Sequence, residues 1–244
     1  MPYRRLPNTD NARLKALQAA LRKGTDLPPF KLAFSQSSLT KIQSLLPLYN
    51  HALSEHRMYY NMLLEKSRDY QKYFRKARLY LSHFIQVANM AIQRGELPVN
   101  TFSYFSMDKD EKKQPFLKNE KNLLEWGNKI IEGEKTRRME GLTSITNPTI
   151  AVVKVHYDNF IEIHTNQNNL KKRHQKVQDN LIEKRELADN LIQQLWNEVE
   201  NTFRELPEDL KRKKSSEYGV VYVYRKNEMP QPEFYEPQQM EIIQ

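Results

Sequence analysis

Between Pro47 and Pro98 the chain runs fifty residues without proline and with a single glycine, Gly95; between Pro148 and Pro207 it runs fifty-eight residues with neither. These two residue types cost a helix interior most, about 3 kcal/mol for proline and about 1 for glycine. Stretches this long that avoid both read as helical rods, each roughly 80 Å long at about 1.5 Å per residue. Such a chain builds an extended helical protein rather than a compact catalytic domain.

The first rod opens at a capping Ser37 or Ser38 and carries an apolar series in steps of four and three. It runs Ile42, Leu46, Tyr49, Leu53, His56, Tyr60, Leu63, Ser67, Tyr70, Phe74, Ala77, Leu81, Phe84, Ala88, Ala91. Thirteen of the fifteen are apolar or aromatic, the seven-residue repeat of left-handed helix packing. The series predicts an oily seam sealed along its length. Pro47 is expected to kink the first turns, and Gly95 to stop the rod.

In the second rod Thr146 or Asn147 precedes Pro148, which is expected at the first helical position. Ile150, Val153, Tyr157, Phe160 and Ile161 line its first part, and Val177, Leu181, Ala188, Leu191, Leu195, Val199 and Phe203 its last. Between them, from His164 to Lys176, Leu170 is the sole large aliphatic.

Shorter elements flank the rods. Thr9 or Asp10 caps a helix to about Lys23, with Leu14, Leu17 and Leu21 as its stripe and Gly24 as its stop. Residues 25–36 read as loop, Thr101–Phe105 as a short strand, and Asp108–Lys113 as charged loop. A weaker helix covers Asn119 to about Glu140, interrupted by Gly127 and Gly133 and ended by Gly141. Tyr218–Tyr224, rich in aromatic and β-branched residues, reads as a strand, and 227–244 as a flexible tail.

The expected fold is therefore all-α. Two long antiparallel helices form a coiled-coil-like hairpin or elongated bundle, with short accessory helices near the rod ends and a small C-terminal β element. Residues 1–226 form one elongated domain. An offset of 108 matches Tyr49 to Tyr157, Leu53 to Ile161 and His56 to His164. Duplication of a helix-plus-strand unit, 38–105 and 147–224, would give this; so would chance matching of two amphipathic helices.

Composition agrees with thin helices: 39% hydrophobic and 28% charged residues, with a mean hydropathy of −0.82. The absence of cysteine excludes disulfides, thiolate metal sites and cysteine nucleophiles. No signal peptide and no apolar run long enough to span a membrane is read, and a cytoplasmic address is expected.

The residues also weigh against an enzyme. His156, His164 and His174 are separated by eight and ten residues, about 12 and 15 Å along a helix and too far for one ion. No Glu-x-x-His pair, glycine-rich phosphate loop or nucleophile elbow occurs, and carboxylates alternate with lysines as on a solvated face. No catalytic residue, cofactor or metal is expected.

A net charge of +9 favours nucleic acid, anionic lipid or acidic protein as partner, against the plainer reading of a lysine-rich helical surface. The candidate anion or nucleic-acid contacts are Arg68, Lys72, Arg75, Lys76 and Arg78; Lys171, Lys172, Arg173 and Lys176; and Lys211, Arg212, Lys213 and Lys214. If the rods pair centre to centre, the first two groups approach one zone. Tyr218, Val220, Tyr222 and Tyr224 are candidates for strand-mediated pairing with a partner. The function expected is a non-enzymatic scaffold that contacts protein partners or itself; the alternative is a nucleic-acid-associated protein.

Overall fold

The computed structural model describes residues 2–107 and 115–224. The expected loop at Asp108–Lys113 and the tail at 227–244 lie outside the described residues. Both rods form. One is continuous over Gln36–Gln93 (α2, 58 residues) and the other over Ile150–Thr202 (α5, 53 residues). Around them lie a strand Tyr3–Arg4 (β1), helices Asp10–Asp26 (α1), Thr101–Tyr104 (α3), Glu120–Met139 (α4) and Glu208–Glu217 (α6), and a strand Tyr222–Val223 (β2). The long helices pack antiparallel: Tyr80 stacks on His156 at 4.0 Å, Phe74 meets Phe160 at 5.6 Å, and His56 meets His174 at 5.1 Å. Rising numbers on α2 thus meet falling numbers on α5.

The chain divides into two compact units, Met1–Glu55 with Gln178–Gln244, and His56–Val177. In the first, α1 packs on the start of α2 and the end of α5. Leu17, Ile42, Ile192, Leu195, Trp196 and Val199 are fully buried there. Each such side chain removed from water contributes about 1.5–3 kcal/mol. Polar bonds fix the register. Arg13 grips Asp189 through two bonds of 2.7 and 2.8 Å, and Arg185 grips Asp10 through two of 2.8 and 2.7 Å. Tyr49 donates its hydroxyl to the same Asp10 at 2.8 Å. Ser35, rather than Ser37 or Ser38, caps α2 by accepting from the Ser38 N–H at 3.2 Å. The Glu198 carboxylate accepts from the Ser35 N–H and the Ser38 hydroxyl.

In the second unit, α4 and the short α3 pack on the end of α2 and the start of α5, around Leu81, Phe84, Phe105, Leu123, Ile130 and Phe160. Two glycines that weaken α4 as an isolated helix are close-approach sites. A Cβ on Gly127 would lie 2.1 Å from the Tyr157 ring, and one on Gly133 would lie 2.2 Å from the Tyr104 carbonyl oxygen. Beside Gly133 sits a buried ion pair, Glu134–Arg137, at 2.5 Å. Arg137 also donates to the Thr143 carbonyl, and Glu134 accepts from the Ile145 N–H.

Several expectations need correction. Thr101–Phe105 is not a strand; Thr101–Tyr104 is a helical turn that aims Phe105 edge-on at Phe84, 6.0 Å away. Burial of that ring outweighs the strand propensity of an aromatic run too short to pair. Each rod is therefore not followed by a matching strand. Helix α1 runs through Gly24 to Asp26. Pro148 precedes α5 rather than opening it; Thr149 accepts the first bonds, from Val152 and Val153. The segment 25–36 contains a 3-10 turn at Pro29–Lys31.

Candidate interaction surface

The apolar series of α2 does not seal along its length. Ile42, Leu46 and Tyr49 are buried, as are Tyr70, Ala77, Leu81, Phe84, Ala88 and Ala91. Between these groups Leu53, His56, Leu63 and Ser67 are only half-buried, and Tyr60 is 49% exposed. From His56 to Asp69 no α2 residue is buried, and from Ile161 to Lys176 on α5 only Gln167 is.

The cause is helix length. Within this unit α2 contributes residues 56–93, rising about 57 Å, whereas α4 with its 20 residues rises about 30 Å. Helix α4 begins at Glu120, whose carboxylate lies 3.4 Å from His164 Nε2. Burial, reinforced by that carboxylate, pushes the Tyr70 hydroxyl well above the usual tyrosine range. From Asp69 back to His56, no third helix covers the pair among the described residues.

The uncovered pair has two unlike walls. On α2 the run Met58-Tyr59-Tyr60-Asn61-Met62-Leu63-Leu64 is apolar almost all round, which a helix sustains only where something packs on it. Met58, Tyr60 and Leu64 are each about half exposed. Facing it, α5 reads Asn166-Gln-Asn-Asn-Leu-Lys-Lys-Arg-His174, polar and basic. A groove of about 400 Å³ lies between them, lined by Met62, Lys66 and Asp69 from α2 and by Ile163, Gln167, Leu170 and Arg173 from α5, among others. Spacings of three and four residues put each set on one helix face. Gln167 is 7% exposed, yet its Oε1 has no hydrogen-bond partner. His174 Nε2 is also buried without one, 5.1 Å ring to ring from His56.

The expected contacts fall at separate levels. Arg68, Lys72, Arg75 and Lys76 are exposed on α2 and Arg78 is half-buried; Arg75 donates to the Gln71 carbonyl. Their stretch faces residues 156–164 of α5, since Tyr70 and Phe74 pack on Phe160, and Tyr80 packs on His156. Burial lowers the pKa of His156, and Lys76 adds to the effect. Lys171, Lys172, Arg173 and Lys176 are exposed, but here His174 faces His56 and Tyr60. The two basic groups therefore do not converge, because the aromatic register sets them about 20 Å apart along α5.

In the other unit Lys211, Arg212, Lys213 and Lys214 lie on α6, a helix that Glu208 and Asp209 announce by their place in its first turn. Lys211 and Arg212 pair with those acids, and Lys214 lies over the Phe203 ring. Only Lys213 lacks such a contact among the described residues. The strand candidate is mostly absorbed by its own unit. Tyr218 and Val220 are core residues, and β2 pairs antiparallel with β1, Tyr3 opposite Val223 and Arg4 opposite Tyr222. The Tyr222 hydroxyl donates to Glu200 at 2.6 Å, and burial with that bond pushes its pKa up to about 12. Tyr224 remains exposed.

Among the described residues no group of three histidines or carboxylates is placed to hold a metal ion. No helix among them is long and apolar enough to cross a membrane. No family model, curated protein or solved structure matches the chain.

Proposed function

We propose that this protein is a non-enzymatic helical scaffold that binds a protein partner, or a second copy of itself, on the uncovered stretch of the α2/α5 pair. One observation carries the reading. The apolar series that is buried elsewhere on α2 is left open from His56 to Asp69, where Tyr60 and Leu63 carry it between His56 and Ser67, and Met58, Met62 and Leu64 add exposed apolar surface on the same turns. Exposed apolar surface bordered by polar groups marks interaction sites. A helix laid on two others is a common way to cover it.

The test is site-specific photo-crosslinking with a benzophenone amino acid at Met62, and at Leu79 on the same helix as control. Leu79 is 50% exposed and lies outside the open stretch. A discrete adduct from position 62 and none from position 79 is the expected result. Equal or absent adducts at both positions defeat the proposal.

A second reading rests on Lys171, Lys172, Arg173 and Lys176, which are exposed and make no ion pair among the described residues. They offer phosphate contacts of the kind that nucleic-acid binding uses. That reading requires an affinity that falls steeply with salt and is lost on reversing these charges.

A further inference from the structure

We infer that the occupant of the α2/α5 groove is an acidic amphipathic helix of a partner protein, lying as a third helix against the open stretch. The inference rests on the interaction reading above and adds the chemistry of the partner.

Charge supplies the first argument. Across residues 56–69 and 161–176 the chain places seven lysines and arginines against three carboxylates. Within the groove Lys66 and Arg173 make no ion pair among the described residues. An acidic partner removes their mutual repulsion and speeds encounter.

Shape and wall chemistry supply the second. Residues 56–69 rise about 20 Å, four turns of helix, which matches a partner helix of ordinary length. Met62, Ile163 and Leu170 form the apolar part of the groove walls, among polar and charged side chains, and Met58 and Leu64 stand exposed on the same turns of α2. Methionine and leucine side chains adapt to a helix's apolar stripe. The buried Gln167 Oε1 provides an acceptor for a donor on the incoming face.

Two labelled peptides of about 18 residues test this, each long enough for a helix when bound. Both carry the same leucine stripe, one flanked by glutamates and the other by lysines. Fluorescence anisotropy against the full chain at about 0.15 M salt reads their affinities. The glutamate peptide is expected to bind at least about tenfold tighter than the lysine peptide. Lys66→Glu with Arg173→Glu is expected to reverse that order. Both residues are exposed, and reversed selectivity shows that the variant is folded.

Equal binding of the two peptides, or an order unchanged by the double reversal, overturns the inference. So does a labelled single-stranded oligonucleotide that outcompetes the glutamate peptide. If the peptides fail while position 62 still crosslinks a discrete protein, the acidic-helix assignment falls and the interaction reading stands. If position 62 also captures nothing, both fall.

Discussion

Arg137→Met isolates what the buried Glu134–Arg137 pair does for the helix that covers one end of the α2/α5 seam. Both side chains are essentially inaccessible, at 0% and 1% exposure. The substitution removes the 2.5 Å bond to Glu134 and the bond to the Thr143 carbonyl, and leaves Glu134 with the Ile145 N–H. A buried carboxylate stripped of its cation costs about 3–5 kcal/mol. The loss is therefore expected at about 3–5 kcal/mol at pH 7. Glu134→Gln with Arg137→Met is expected to lose less than the single variant at pH 7. Since the chain has two units, the readout is native-state hydrogen exchange of α4 amides rather than one global unfolding curve. A single-variant loss below about 1 kcal/mol, or a double variant that loses as much as the single one, refutes the reasoning.

Three further outcomes follow from the packing. Gly133→Ala removes a helix penalty of about 1 kcal/mol, but its Cβ meets the Tyr104 carbonyl oxygen at 2.2 Å. Backbone cannot swing aside, so a net loss of about 1–3 kcal/mol is expected by thermal unfolding. Phe84→Ala is expected to cost about 3–5 kcal/mol and Tyr60→Ala under about 1, since Phe84 is 0% exposed and Tyr60 49%; comparable losses in urea would contradict the open seam. Acid is expected to weaken the first unit. The Arg185 bond leads in holding Asp10 below its ordinary 3.8. Burial alone would raise Glu198, but bonds from Ser35, Gln194 and Ser38 outweigh it and hold it below 4.5. Both groups thus stabilise fully above about pH 4.5 and less as the pH falls through their lowered folded-state values. Asp10→Asn, at a cost of about 1–2 kcal/mol near neutrality, flattens that dependence in pH-resolved unfolding.

The long helices were legible because two signals agreed, the proline-free runs and the four-three spacing from Ile42 to Ala91. Antiparallel direction was an expectation only, since a connector of about fifty residues permits it without requiring it. The open middle was not, because Tyr60 and Leu63 satisfy the heptad as well as Leu81 and Phe84 do. What separates them is the length of α4, a property of a different segment. The local hints were the polar run His164–Lys176 and the two breaks in the apolar series, His56 and Ser67, while the run Met58–Leu64 on α2 pointed the other way. Lys66, Met62 and Gln167 escaped notice because nothing in their spacing distinguishes a groove wall from a solvated face. The pairing of β1 with β2 links residues more than two hundred apart, and Tyr218–Tyr224 alone named no partner strand.

Hydroxyl-radical footprinting of Tyr60 against Tyr49 tests the central claim most directly, because the two residues share one chemistry and one helix. The account predicts that Tyr60 in the isolated chain is modified far faster than the fully buried Tyr49, and that this excess vanishes once the partner captured at position 62 is bound. Tyr60 as slow as Tyr49 in the isolated chain, or equally fast with the partner in place, would contradict it.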